Sequence, residues 1–372
     1  MNQKTFFKLL DKAFEKKKSV LLIGVHGIGK SQMTYDWAEY KAKQLNRKYI
    51  IWHQLSEEEK KKIIEEAEKY FAMIDIKLQS VGDPSKISGI PIIINHGNEP
   101  KIIWLPPLAV RFLTNPKSAG VLFLDEKNMA SPSLQSLSFE IDLQRKVGEW
   151  AFSENVLIIS AGNPLDVNIS ANPIPKPDLN RNLVIWLDVP DTDDWIRWAI
   201  RKEIDGRIIS FVKLFGKEAL YQHSEEELKQ DTTPRSWELL SDMIKGEDDI
   251  EFIRVCAFGY LHEITANKFV AYIKSMYQLD YKRFLEDFEA FKELSPENQY
   301  AVLSLIAKHS KKIDKKKLVD FIIKLADFIL EFSAMLIALC KVEYGKNFVI
   351  KEILTKIPKD LKGRIFYLVS GE

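Results

Sequence analysis

LLIGVHGIGKS, residues 21–31, runs an apolar segment into three glycines, a lysine and a serine. The spacing is Gly24-x-x-x-x-Gly29-Lys30-Ser31, and the strand-like stretch Ser19 to Ile23 ends where the glycines begin. Glycines let successive backbone N–H groups curl around an anion, and a helix that starts just after them adds the positive end of its dipole. Lys30 offers a point charge to outer phosphates and Ser31 a hydroxyl to a magnesium ion, which is the chemistry of a P-loop. Gly24, His26, Gly27, Ile28, Gly29, Lys30, Ser31 and Gln32 are therefore the candidate binding residues, with His26 at an unconstrained position of the loop. A glycine turn between a buried strand and a helix is the plainer explanation. The context favours the P-loop: an apolar run before it, and the helix-like Gln32 to Gln44 after it.

A chain of 372 residues exceeds what one hydrophobic core usually serves, which predicts two or three domains. Hydrophobic residues at 46% and charged residues at 29% are ordinary for a globular protein and speak against disorder. Fifty-four basic residues against 53 acidic ones leave a net charge of +1, so overall charge gives no argument for binding nucleic acid or an acidic membrane. Two cysteines, Cys256 and Cys340, suit neither a disulfide framework nor a metal site and read as packing residues of a reducing compartment. The six histidines are scattered and predict no metal cluster. Met1 to Lys18 lacks the apolar core of a signal peptide. Leu318 to Val342 carries Asp320, Lys324, Asp327 and Glu331 along its length and reads as a core helix, not a membrane span. A cytoplasmic location is expected.

Up to about residue 190, short apolar runs alternate with helix-like stretches, the signature of a parallel sheet with crossover helices. The expected strands are Val20 to Ile23, Tyr49 to Trp52, Phe71 to Ile76, Val121 to Leu124, Val156 to Ser160 and Leu183 to Leu187. Between the second and third lies SEEEKKKIIEEAEKYF, a serine cap position followed by acids, which predicts a helix with a solvated charged face. Beyond Pro190 helical periodicity takes over. The expected organisation is an α/β nucleotide-binding core over 1–190 with an insertion at about 77–107, a helical domain over 191–276, and a helical extension over 277–372 with cap signals at Ser295 and Asp314.

A P-loop alone says nucleotide; hydrolysis also needs a carboxylate for the metal and a group to activate water. VLFLDE, Val121 to Glu126, is an apolar strand ending in two acids, as expected where a buried strand reaches the phosphates at the carboxyl edge of a sheet. Asp125 is assigned to magnesium through water, and Glu126 to polarising the attacking water. The next strand, VLIISAGNP, ends in Asn163, whose amide suits a γ-phosphate or the water beside it. Asn163-Pro164-Leu165-Asp166 lacks the lysine of the guanine-reading Asn-Lys-x-Asp pattern, so ATP is the favoured nucleotide.

In order along the chain, the P-loop, FLDEKNMASPSLQ, the hairpin-like RKVGEW, IISAGNP, LNRN and TTPRSWELL resemble an AAA+ ATPase of the MoxR-like group over about residues 15 to 245. IDIKLQSVGDPSKISGIPIIINHGNEPKIIWLPP, Ile74 to Pro107, resembles the insertion after the second core strand in that group. The resemblance implies a P-loop NTPase sheet, an all-α lid and Mg2+-dependent ATP hydrolysis. It makes Lys30 and Ser31 the Walker A residues, Asp125 and Glu126 the Walker B pair and Asn163 the first sensor. It further implies that Arg181, in LNRN, is an arginine finger reaching a neighbouring subunit's nucleotide. Relatives carry an aromatic after that arginine; here Asn182 follows. Arg235, in TTPRSW, matches the second sensor. A ring, with a hexamer favoured, follows from the finger, and relatives act as chaperone-like remodelling factors, often with a partner bearing a von Willebrand A domain. RKVGEW matches an element that relatives use to touch substrate, while a mere sheet extension is the plain alternative.

A different class remains open at this point: an ATP-driven DNA-associated motor or switch, of the replication, restriction or phage kind. It calls for basic, aromatic-bearing loops. GDPSKISG and RKVGEW are of mixed charge with one tryptophan, so nucleic acid is not indicated.

Overall fold

Six apolar runs, none of them alternating, suit strands whose two faces are both covered. The computed structural model describes the chain apart from residues 2, 97–98, 165–171, 225, 227–228, 360 and 364–372. It divides into two compact units, Met1–Asp188 and Val189–Glu372.

In the first unit the six expected strands form one sheet, in the order β10-β1-β9-β6-β3-β2. They are β1 (Val20–Ile23), β2 (Lys48–Ile51), β3 (Tyr70–Lys77), β6 (Ala119–Asp125), β9 (Val156–Gly162) and β10 (Leu183–Trp186), and every pairing is parallel. Helices α1 (Gln3–Glu15), α2 (Lys30–Gln44) and α3 (Glu57–Glu65) belong to this unit. Ser56 caps α3 in a reciprocal box with Glu59, as the serine followed by acids predicts. Register places Ile23 beside both Gly162 and Trp186, and Lys77 beside Asp125, so the loops after β1, β6 and β9 leave the same carboxyl edge. The parallel sheet with flanking helices, followed by a helical C-terminal region, is the P-loop NTPase fold class expected from the sequence.

Two hairpins stand apart from this sheet. The segment expected as an insertion holds two short helices, Leu78–Val81 and Ser85–Ser88, and then β4 (Ile90–His96) paired antiparallel with β5 (Glu99–Leu105). RKVGEW contributes β7 (Lys146–Val147) and β8 (Trp150–Ala151), which form their own small ladder around Gly148.

The second unit is helical, and one apolar cluster runs through it from Trp195 to Leu361 without a break at residue 276. Trp195 lies in that cluster with Trp198 packed against it, and Cys256 and Cys340 are buried. Ser295 and Asp314 accept hydrogen bonds from the first turns of the helices they precede. Leu318 to Val342 is not one helix. Lys315–Phe328 ends at Ile329, which is extended at φ −144°, and Leu330–Phe348 follows; the apolar pattern continues across the break because both helices face the same core. Among the described residues no helix is long and apolar enough to cross a membrane.

Candidate nucleotide site

The loop after β1 turns through two glycines of positive φ, Gly27 at 71° and Gly29 at 96°, and Gly29 hands the chain to α2 at Lys30. A non-glycine residue in this left-handed region is strained. Gly24 is glycine for another reason: a Cβ there would lie 2.6 Å from the carbonyl of Leu187.

Lys30 is buried, and its ammonium donates to the carbonyls of Gly24 (2.6 Å) and Val25 (2.9 Å) and to Oδ1 of Asn163 (2.9 Å). Burial pushes its pKa down from 10.5 to about 8, against the pull of Asp125 and Glu126. The next residue, Ser31, donates from Oγ to Oδ2 of Asp125 at 3.0 Å. Asp125 uses its other oxygen, Oδ1, to accept from the backbone N–H of Glu126 at 2.9 Å. Glu126 sits at φ 56°, a left-handed conformation outside glycine, and the short 3-10 turn Lys127–Met129 follows it. The acid pair is thus presented by a strained turn that one of its own carboxylates holds.

Structure therefore brings together Lys30 and Ser31 from the start of α2, Asp125 from the end of β6 and Asn163 just after β9, with Glu126 beside Asp125. His26 is exposed on the loop, and Gln32 donates to Asp36 within α2. Ile28 is buried under the loop. Arg181 follows the short helix Lys176–Leu179; it is exposed, with its guanidinium 5.0 Å from the ring centroid of Phe139. Asn182 does not point outward as an aromatic could, but donates to the carbonyl and Oδ1 of Asp178. Arg235 belongs to the second unit, exposed in the first turn of Pro234–Ile244, whose Thr233 cap pairs with Ser236. Leu165 and Asp166 lie outside the described residues.

Two groups of residues that sequence reasoning missed complete the arrangement. Asn128 accepts from the N–H of Asn163 (3.0 Å) and donates to the carbonyls of Asn163 (2.7 Å) and Asn172 (3.3 Å), clamping the end of β9 to the turn after β6. Lys127 is buried between two carboxylates, Asp142 and Asp178, at 2.6 Å from each. Burial raises the Asp142 pKa, against the opposing charge of Lys127. A signal for Asp142 exists in the sequence. It shares the buried stripe of the helix Pro132–Gln144 with Leu134, Ser138 and Ile141, and an acid on such a stripe asks for a partner.

The donors suit a magnesium ion that arrives with nucleotide. A hydroxyl and a carboxylate already 3.0 Å apart are hard oxygen ligands, and Mg2+ is commonly held by one or two protein oxygens plus substrate phosphates. Among the described residues no cluster of three or more His, Cys, Asp or Glu could hold a metal by itself.

No family model matches the sequence, and no curated protein matches it. Solved chains of AAA+ ATPases are similar at low identity. The Thermotoga maritima RuvB P216G mutant is 12% identical, with 92% of this chain and 82% of that one covered and a TM-score of 0.31. PCH-2 of C. elegans is 12% identical over 74% and 68%, with a TM-score of 0.30. NtrX from Brucella abortus in complex with ATP is 12% identical over 98% and 67%, with a TM-score of 0.29.

Proposed function

We propose that this chain binds ATP with Mg2+ at the loop Gly24–Ser31 and hydrolyses it to ADP and phosphate, as an AAA+ motor of MoxR-like type. The observation that carries the reading is the convergence of Lys30, Ser31, Asp125, Glu126 and Asn163 at one sheet edge, linked by the Lys30–Asn163 and Ser31–Asp125 bonds. Backbone N–H groups of the loop and the N-terminus of α2 suit phosphate oxygens. Lys30 exchanges its bonds to the Gly24 and Val25 carbonyls for bonds to phosphate. Bound Mg2+ supplies charge neutralisation on the outer phosphates. Glu126 accepts a proton from the attacking water, and Asn163 holds that water or the γ-phosphate.

Arg181 is the proposed trans residue: exposed on the first unit, it serves the nucleotide of an adjacent subunit in a ring, with six subunits favoured. Arg235 is the proposed second contact to phosphate. On this reading the ring remodels or matures a protein partner, and a partner with a von Willebrand A domain fits the group the sequence resembles.

The test is ATPase rate against protein concentration, with mass in solution followed in parallel, for the wild type and Arg181→Ala. Specific activity that rises with assembly, and collapses in an Arg181→Ala protein that still assembles, supports a shared-site ring. Concentration-independent turnover by a monomer, untouched by the change, removes both the finger and the ring.

A further inference from the structure

The ammonium of Lys127 occupies a place that the reaction itself does not require. It immediately follows the Asp125–Glu126 pair, its side chain is 3% exposed, and it is ion-paired at 2.6 Å with Asp142 Oδ2 and at 2.6 Å with Asp178 Oδ2. Burying one cation with two carboxylates leaves an excess of negative charge, which further donors offset. Ser160 Oγ, on β9, donates to both oxygens of Asp142 at 3.0 Å. Asn182 Nδ2 donates to Asp178 Oδ1 at 2.9 Å. Ser19, just before β1, donates to the Asp142 carbonyl at 2.6 Å.

These bonds join pieces of chain far apart in sequence. They are the entry to β1, the turn after β6, the helix Pro132–Gln144, the strand β9 that ends at Asn163, and the segment Lys176–Asn182 that carries Arg181. Arg181 is bound into the same assembly a second way, through its guanidinium over Phe139 of Pro132–Gln144 and its N–H to the Asp178 carbonyl at 3.3 Å. A buried salt bridge stabilises little in itself, because desolvation offsets most of its Coulomb energy. Its geometric demand is strict, however, since any displacement of one partner leaves another unpaired.

We propose that Lys127 is a positioning residue that locks the Glu126 turn to the Arg181 segment, so that the water-activating acid of one site and the arginine offered to the next site move as one piece. The proposal rests on the shared-site reading above. It predicts that loosening the Lys127–Asp178 half of the lock damages the arginine a subunit gives away while sparing the site it keeps.

Asp178→Asn is the change that separates the halves. Asp178 has one oxygen for Lys127 and one for Asn182; asparagine has a single oxygen for the two donors, while the Lys127–Asp142 pair stays intact. Lys127→Met is the harsher second variant, with thermal unfolding of each as a check on folding. The Asp178→Asn assembly should lose about 10- to 100-fold in turnover, the scale of a misplacement near 1 Å, with ATP affinity unchanged. Mixed assemblies give the decisive readout. Asp178→Asn subunits mixed with Glu126→Gln subunits should recover activity several-fold above either alone, because each Glu126→Gln subunit offers an intact Arg181 to a neighbour whose Glu126 is intact. Mixed with Arg181→Ala subunits they should recover nothing.

Full turnover by the Asp178→Asn assembly overturns the proposal, as does a loss that no mixture rescues, since that is general damage. Mixing Arg181→Ala with Glu126→Gln is the control for the underlying reading. If that pair fails to recover activity, the shared site itself is wrong and the proposal falls with it; if that pair recovers and Asp178→Asn does not, the lock alone is wrong.

Discussion

Ser31 Oγ and Asp125 Oδ2 are 3.0 Å apart, a bond that ties the first turn of α2 to the end of β6, far apart in sequence. In water such a hydroxyl–carboxylate bond is worth little, but here it holds side by side the two oxygen groups that, on the proposed reading, would serve Mg2+, Ser31 directly and Asp125 through water. Ser31→Ala and Asp125→Asn should each raise the Mg2+ concentration for half-maximal turnover by about 10- to 100-fold, the usual penalty for losing a group that orients the metal's surroundings. Nucleotide binding measured in EDTA should change far less. Equal losses with and without Mg2+ would show that these two residues do not serve the metal.

Glu126 gives the next test. The Asp125 carboxylate fixes the Glu126 turn by accepting from its N–H, so a change of the Glu126 side chain alone leaves the turn's hydrogen bond in place. Glu126→Gln should keep ATP affinity and assembly while turnover falls about 10²- to 10⁴-fold, the range a general base contributes. Single-turnover hydrolysis separates the two effects. Wild-type turnover in that variant would remove Glu126 from the chemistry.

A pH series reads Lys30. In the folded chain burial lowers its pKa to about 8, so the free site holds a charged lysine below pH 8 and a neutral one above it. A phosphate in contact favours the ammonium and raises that pKa in the complex. Binding above pH 8 must therefore take up a proton. Affinity for ATP should be flat from pH 6.5 to 7.5 and then fall with rising pH, by up to about tenfold per unit until the pKa of the complex is reached. Calorimetry in buffers of different ionisation enthalpy reports the proton directly. An affinity unchanged up to pH 9.5 would show that the Lys30 charge is not used.

The sheet was legible because each strand is a short apolar run set between helix-like stretches: the inner strands β1, β3, β6 and β9 are largely buried, while the edge strands β2 and β10 are partly exposed. Their ends were less so: β9 extends two residues past Ser160, through Ala161 to Gly162, because those small residues still pair with Leu22 and Ile23 of β1. Lys30, Ser31, Asp125 and Asn163 were legible as candidates from motif spacing, and the fold brings them within hydrogen-bonding distance. Lys127 and Asp178 were not. A lysine and an aspartate in polar loops look solvated, and only tertiary structure reveals that they share one buried pocket with Asp142. The break at Ile329 was hidden for the opposite reason, since both helices carry the same apolar pattern into one core.

Asn128 supplies the last prediction. Its amide spans the turn after β6 and the end of β9, accepting from the Asn163 N–H and donating to the Asn163 and Asn172 carbonyls. Asn128 is itself buried, so Asn128→Ala strands those partners with about 1 to 3 kcal/mol of unsatisfied hydrogen bonding and frees the backbone of Asn163. Asn128→Asp keeps the acceptor but loses both donated bonds. If Asn163 acts on the γ-phosphate or the water beside it, both changes should lower turnover more than ATP affinity, with alanine the worse of the two. Unfolding midpoints measured alongside distinguish this from simple destabilisation, because a purely structural residue would lower the midpoint and leave the turnover of the folded fraction intact.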